Sequence, residues 1–208
     1  MREYTTIRTT QIAVTTIKHS KFIATAIPVA DYDEALAAVA DIKRRYADAT
    51  HNCYAFVADE VGMQCKYSDD GEPSGTAGTP ILDVLKRQGL SHVLVVVTRY
   101  FGGIKLGANG LVGAYSGAAA GVLDAADKVR MVFSAFCRIR LDYALAGKVN
   151  AIVARVGGRV LDVDYTHEVT VRAVLPVEEV QTLHDALIEY TKGNVGFVSE
   201  RTDYWGYE

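Results

Sequence analysis

The chain has 208 residues, of which 50% are hydrophobic and 23% are charged, and its formal net charge at pH 7 is −3. A chain of this kind can bury a hydrophobic core, as one large domain or two small ones. Neither half is basic overall, which excludes recognition of nucleic acid by the field of a whole basic domain and leaves only a local cationic patch. No run approaches the roughly 18 uncharged apolar residues that a membrane-spanning helix requires. The N-terminal residues lack an apolar stretch, and the three cysteines lack CxxC spacing. We therefore expect a cytoplasmic protein with reduced thiols and no membrane partner.

The first half of the sequence predicts a mixed α/β domain. Alternating apolar residues predict strands, apolar residues at helical spacing predict helices, and the uninterrupted apolar run at 92–97 predicts a strand with both faces buried. A capping box, Asp31 with Glu34, marks the start of the first helix, and Pro80 suits the first turn of the second. In chain order the predicted elements are a strand starting near residue 12, a strand at 22–27, a helix through 35–46, a hairpin of 52–58 and 64–68, a helix from 80 to 88, a strand at 92–97 and a helix from about 109 to 127.

The last of these helices carries Gly113, Gly117 and Gly121 at intervals of four residues, with alanines between them. A glycine costs up to ~1 kcal/mol relative to alanine in a helix interior. We expect close packing of this smooth face against the sheet to offset that cost.

The second half predicts the order βαββαβ, which is the ferredoxin-like pattern. Asp142 is positioned to cap its first helix, and the C-terminal residues 204–207 are expected either to stack on bases or to cover an apolar groove. The predicted elements are strands at 133–141, 161–165, 169–175 and 195–202 and helices at 143–156 and 176–193. The sequence thus predicts an α+β protein of two domains, residues 1–128 and 129–208.

The most informative stretch is TRYFGGIKLGANGL, residues 98–111. It follows the predicted buried strand, precedes a helix, and holds three glycines together with Arg99 and Lys105. Glycine lets backbone N–H groups approach a ligand closely, and a helix N-terminus favours anions. These features predict an anion-facing site, although a tight turn that needs glycine only for its backbone geometry would carry the same residues. The phosphate-binding P-loop pattern is absent, because Lys105 precedes Gly107 and no hydroxyl residue follows.

The same stretch resembles the signature of the YigZ/IMPACT family. Two further segments agree with it, DDGEPSGTAGTPIL at 69–82 and HSKF at 19–22. Asn109 and Gly113 depart from the family pattern, where glycine and arginine are expected, and the second departure removes a cation. The resemblance implies a translation-associated factor. Eukaryotic members regulate a translation-control kinase through a partner protein, and bacterial members have no settled activity.

The arrangement of elements is similar to the last two domains of elongation factor G. This likeness implies an N-terminal mixed α/β sandwich resembling the fourth domain of that factor, followed by the ferredoxin-like domain. Fold alone does not fix function.

Our leading hypothesis is a non-enzymatic regulator that contacts RNA, the ribosome or a translation-factor partner through the glycine-rich loop surface. Cations would meet phosphate, aromatic rings would stack, and glycines would permit close approach. The expected binding residues are Arg99, Tyr100, Phe101, Gly102, Gly103, Lys105, Gly107 and Asn109.

The alternative is an enzyme that acts on a small phosphorylated or carboxylated substrate in a groove between the two glycine-rich loops. A carboxylate of the acidic loop, residues 69–79, would then serve as base or as metal ligand. The residues of this loop expected at the groove are Asp69, Asp70, Glu72, Ser74, Thr76 and Thr79. We expect no metal and no cofactor, because the loop lacks calcium-ligand spacing. His51 and Cys53 share one face of a strand, but nothing in the sequence orients them as a catalytic pair.

Overall fold

The computed structural model describes residues 3–207, which divide into two compact units, Tyr4–Arg130 and the residues from Met131 onward together with Glu3. Short 3₁₀ turns at Tyr143–Lys148 and Val177–Glu179 precede the last two helices. In chain order the elements are β1 (Glu3–Ile7), β2 (Gln11–Ile17), β3 (Ser20–Pro28), α1 (Tyr32–Arg45), β4 (His51–Val57), β5 (Cys65–Ser68), α2 (Gly78–Arg87), β6 (Val93–Tyr100), α3 (Ala108–Asp124), β7 (Lys128–Leu141), α4 (Val149–Arg155), β8 (Arg159–Tyr165), β9 (Val169–Pro176), α5 (Val180–Thr191) and β10 (Gly196–Tyr207). The predicted α+β class is confirmed. No helix among residues 3–207 is both long enough and apolar enough to cross a membrane.

The N-terminal unit is built on an antiparallel sheet with the strand order β2-β3-β6-β4-β5. Helix α1 covers one face, where it packs on Leu94 and Val96, and helices α2 and α3 cover the other, where they pack on Val93, Val95 and Val97. Successive side chains of a strand point to opposite faces, so a central strand between two helical layers needs apolar residues at every position. The predicted two-sided burial of this run is confirmed.

Helix α3 buries a different face from the one we predicted. Residues such as Leu111, Tyr115 and Val122 pack on the sheet, whereas Gly113, Gly117 and the equivalent glycine one turn later are exposed. A Cβ atom added at any of these glycines would meet nothing within 4 Å. The prediction of a packed glycine face was wrong, because alanines and larger residues form a second apolar stripe on the same helix and that stripe faces the core.

The C-terminal unit has the predicted βαββαβ order, with strands arranged β10-β7-β9-β8. Helices α4 and α5 enclose its core on one face of the sheet. Asp142 does not cap the first helix, since its carboxylate accepts a hydrogen bond from Asn194 Nδ2 at 2.8 Å and the chain enters the helix through a 3₁₀ turn. The C-terminal aromatic residues extend β10, and the rings of Tyr204 and Trp205 lie against Phe133 and Phe136.

Candidate functional site

The acidic loop and the glycine loop, which we define as residues 69–79 and 101–107, meet in the N-terminal unit at one open cavity of about 430 Å³. Strand β4 begins and strand β6 ends beside it, and the first turn of α3 closes one side. The cavity is lined by Thr50, His51, Glu72, Pro73, Arg99, Phe101, Lys105, Leu106, Gly107, Ala108 and Leu111. Five of the predicted site residues are therefore together, namely Glu72, Arg99, Phe101, Lys105 and Gly107.

The glycine loop rests on the turn between β2 and β3. Lys18 and His19 form this two-residue turn, with φ values of 44° and 67°, as a type I′ hairpin requires. A Cβ atom at Gly102 would lie 2.1 Å from the carbonyl carbon of His19, so only glycine fits there. The Gly102 N–H donates a hydrogen bond to Ser20 Oγ at 3.2 Å. Gly102 thus serves the backbone geometry of the loop and does not line the cavity.

The cationic side of the cavity is formed by Lys105 and the beginning of α3. Lys105 is exposed, and no ion pair joins it to another residue in the range 3–207. Helix α3 begins after Gly107, whose φ is 73°, and has no side-chain cap. The first N–H groups of a helix carry partial positive charge and lack partners within the helix. The lysine and the uncapped turn together can receive an anion.

Arg99 is not the free cation that we predicted. Its side chain is buried, and Nη1 lies 2.6 Å from Glu72 Oε1 while Nη2 lies 3.3 Å from Ser20 Oγ. The guanidinium carbon lies 5.5 Å from the ring centre of Phe22 and 5.4 Å from that of Phe101. Because its charge is neutralised by a buried carboxylate, Arg99 contributes no free charge for phosphate.

Glu72 is occupied by two donors and cannot act as the free base that the enzyme hypothesis assigned to the acidic loop. Besides Arg99, the hydroxyl of Tyr115 donates to Glu72 Oε1 at 2.7 Å. Burial, together with the neighbouring Cys53 and Glu72, raises the pKa of Tyr115, so this phenol remains a neutral donor. Glu72 Oε2 accepts no hydrogen bond from the residues that the structure describes, and His51 Nε2 lies 3.9 Å from it.

His51 is held in one orientation by the acidic loop. Its Nδ1 lies 2.8 Å from the carbonyl oxygen of Asp70, and because a carbonyl only accepts, Nδ1 must donate. In the neutral ring, the unprotonated Nε2 then lies beside Glu72 at the cavity. This orienting group could not be identified from the sequence, because it is a backbone atom.

Cys53 does not complete a catalytic pair with His51. Its thiol is fully buried, donates to the carbonyl oxygen of Asp69 at 2.9 Å, and does not line the cavity. Burial raises its pKa to about 12. A thiol that stays protonated at neutral pH is a poor nucleophile.

The two aspartates at the start of the acidic loop organise the loop itself. Asp69 accepts backbone hydrogen bonds from Gly75, Ala77 and Gly78 at 2.8 to 3.0 Å. Burial raises the pKa of the Asp69 carboxyl, but these three N–H groups outweigh burial and hold the pKa below its usual value. The carboxylate of Asp70 accepts from Lys43 Nζ at 2.5 Å and from the backbone N–H of Asn52 at 2.6 Å.

Both aspartates are engaged by the protein and lie outside the cavity. The other predicted residues that do not line the cavity are Ser74, Thr76, Thr79, Tyr100, Gly102, Gly103 and Asn109. Thr76 donates to the carbonyl oxygen of Pro73, and the hydroxyl of Tyr100 donates to Asp48. Within residues 3–207 no group of three or more histidine, cysteine, aspartate or glutamate side chains could hold a metal ion.

Comparisons with known proteins cover both units. Residues 18–123 match the family model described as the Impact N-terminal domain, and residues 139–194 match the model described as a domain of unknown function, DUF1949. The chain is 36% identical over 177 residues to IMPACT family member YvyE of Bacillus subtilis, covering 85% of this chain and 82% of that protein. It is 33% identical over 181 residues to IMPACT family member YigZ of Escherichia coli, covering 86% and 89%. A solved structure described only as the crystal structure of a hypothetical protein matches with a TM-score of 0.64 at 30% identity, covering 97% of this chain and 98% of that one.

Proposed function

Because the chain belongs to the IMPACT family, we propose that it is a translation-associated regulatory protein that contacts RNA, free or within the ribosome, at the cavity between its two loops. The observation that carries this proposal is the combination of Lys105, the uncapped start of α3 and Phe101 at one cavity. Lysine and helix N-termini bind phosphate oxygens, and exposed aromatic rings stack on unpaired bases. Phe101 is 46% exposed and is therefore accessible for such stacking.

The charge distribution limits the size of this contact. Arg99 is neutralised by Glu72, and Lys43 is neutralised by Asp70, so Lys105 is the free cation among the residues that line the cavity. With a net charge of −3 on the whole chain, the protein does not attract RNA through a broad field. We therefore infer contact with one or two phosphates of a single strand, and modest affinity.

The test is a salt titration of RNA binding. A fluorescently labelled single-stranded RNA oligonucleotide is titrated with the wild-type protein, with Lys105→Ala and with Lys86→Ala, at several salt concentrations. Lys86 is an exposed lysine of α2 outside the cavity, so its variant changes the net charge equally. We expect Lys105→Ala alone to weaken binding and to lower the log–log salt slope by about 0.7, the value for one phosphate of a single strand. Equal slopes for the two variants would contradict the proposal.

A second candidate function is an enzyme acting on a small anionic substrate. It is favoured by the concave shape of the cavity and by His51, whose Nε2 is oriented toward Glu72 by the Asp70 carbonyl. An oriented neutral imidazole at a cavity can take up a proton from a bound water or hydroxyl. Turnover of a phosphorylated substrate that is lost in His51→Ala and kept in Lys86→Ala would favour this function over the regulator.

A further inference from the structure

At the end of the cavity formed by Glu72 and His51, which we call the inner end, hydrogen-bond acceptors lack donors. Glu72 Oε1 already accepts from Arg99 and Tyr115, whereas Glu72 Oε2 accepts no hydrogen bond from the described residues. His51 Nε2 lies 3.9 Å from that oxygen, too far for a direct hydrogen bond. In the neutral ring Nε2 is an acceptor, since Nδ1 then carries the proton that is donated to the Asp70 carbonyl. Two acceptors therefore lie side by side with no donor between them. A ligand that fills this end must present two adjacent donors.

The outer end has the opposite character. Lys105 and the uncapped first turn of α3, with Gly107 and Ala108 at the cavity, favour an anion. The lining also includes the apolar side chains of Pro73, Phe101 and two leucines. A cavity of about 430 Å³ is in the range of small-ligand sites, which is about 300–1,000 Å³.

A ligand that satisfies all three parts has an anionic group, a flat apolar body and an edge with two neighbouring donors. Among the four nucleotides of RNA, guanine alone has two neighbouring donors on its Watson–Crick edge, the ring N–H and the exocyclic amino group. Adenine and cytosine have an amino group beside an acceptor nitrogen, and uracil has one N–H between two carbonyl oxygens. Protein sites that read unstacked bases use this edge and an aromatic stacking surface.

We propose that the cavity binds one guanine nucleotide unit, with the phosphate at Lys105 and the start of α3, the base against Phe101, and its donor edge directed to Glu72 Oε2 and His51 Nε2. This inference rests on the proposed function, because it names the ligand class of the same site. The unit comes either from a free mononucleotide or from a guanosine in single-stranded RNA, and both sources share this chemistry.

The first test changes the ligand and leaves the protein intact. Isothermal titration calorimetry of the wild-type protein compares guanosine monophosphate with inosine monophosphate, which lacks only the amino group, with adenosine monophosphate and with ribose 5-phosphate. Loss of a hydrogen bond to a charged group weakens binding roughly tenfold or more. We therefore expect inosine monophosphate to bind more weakly than guanosine monophosphate by that factor, and the other two ligands to bind more weakly still. Equal affinity for guanosine monophosphate and ribose 5-phosphate, or for the guanine and adenine nucleotides, would overturn the proposal.

The second test separates the two ends of the cavity. Lys105→Ala should weaken binding of guanosine monophosphate but leave binding of unphosphorylated guanosine unchanged, whereas His51→Ala should weaken both, and Lys86→Ala should weaken neither. A Lys105→Ala variant that loses guanosine and its monophosphate equally would place the phosphate elsewhere and contradict the assignment.

The third test distinguishes a free nucleotide from a guanosine in RNA, and it separates the guanine site from the more general RNA contact. Labelled single-stranded RNA that contains guanosine should be displaced by guanosine monophosphate, and an oligonucleotide of uridine alone should bind at least roughly tenfold more weakly. Binding of the free nucleotide without binding of RNA would support this site and refute the RNA contact. Binding of RNA that is independent of guanosine, and is not displaced by the nucleotide, would refute this site and leave the RNA contact standing.

Discussion

Removal of Glu72 should strongly destabilise the N-terminal unit. The Glu72 side chain is 4% exposed and that of Arg99 is 6% exposed, with 2.6 Å between Oε1 and Nη1, and Glu72 also accepts from the buried hydroxyl of Tyr115. Glu72→Ala leaves the guanidinium and the phenol without their acceptor, and the guanidinium Nε already has none among the described residues. Breaking a buried ion pair by removing one partner costs about 3–5 kcal/mol. We expect a loss of that size in the free energy of unfolding.

Urea unfolding followed by far-UV circular dichroism measures this loss. Asp162→Ala is the matched control, because Asp162 pairs with Arg172 at 2.7 Å but both side chains are more than half exposed, and exposed pairs contribute about 0–1 kcal/mol. The double variant Glu72→Met with Arg99→Met should recover much of the loss, since replacing both partners of a buried pair by apolar residues is often neutral or stabilising. A cost for Glu72→Ala no larger than that for Asp162→Ala would refute the reasoning.

Three further predictions concern an aspartate, the thiols and the exposed glycines. The native pKa of Asp69 is lowered, so its stabilisation is present above the ordinary aspartate pKa of about 3.9 and is lost as the pH falls through the lower native value. Asp69→Asn should cost about 1 kcal/mol at pH 7, because hydrogen bonds to a charged acceptor are stronger than those to a neutral one by about that amount. Urea titrations from pH 7 to pH 2 should show this difference from wild type shrinking in acid, whereas a constant difference would exclude the charge as its cause. Cys53, whose pKa is raised to about 12 by burial, should not react with a thiol reagent at pH 8 in the native protein, while the partly exposed Cys65 should. Because Cys137 is also a buried free thiol, the test uses the double variant Cys65→Ser with Cys137→Ala, in which rapid labelling would show the Cys53 thiol to be accessible. Gly117→Ala should raise the free energy of unfolding, measured by urea unfolding, by about 0.4–1 kcal/mol. Gly102→Ala serves as the destabilising control. A lower free energy of unfolding for Gly117→Ala than for wild type would mean that this glycine face is packed.

The sequence predicted those parts of the molecule that depend on local pattern. Strand β6 was recognisable because both of its faces are buried, which leaves an uninterrupted apolar run, and the two loops were recognisable because their glycines and charges are clustered. The burial of Arg99 was not predictable, since it depends on Glu72, which lies 27 residues away across strands whose pairing the sequence does not reveal. His51 was underestimated for a different reason. Its orienting partner is the backbone carbonyl of Asp70, and every residue type at that position supplies the same atom.

The turn between β2 and β3 has a consequence for how the chain tolerates insertions. The turn contains only Lys18 and His19, so it cannot absorb an added residue without a change in its conformation. The backbone of His19 packs directly against Gly102. An extra residue there would lift the glycine loop and with it the wall of the cavity, more than eighty residues further along the sequence. The turn between β4 and β5 differs, because Val61 and Met63 at its tip are exposed and line no part of the cavity. Length changes are therefore compatible with the site at one hairpin and incompatible with it at the other.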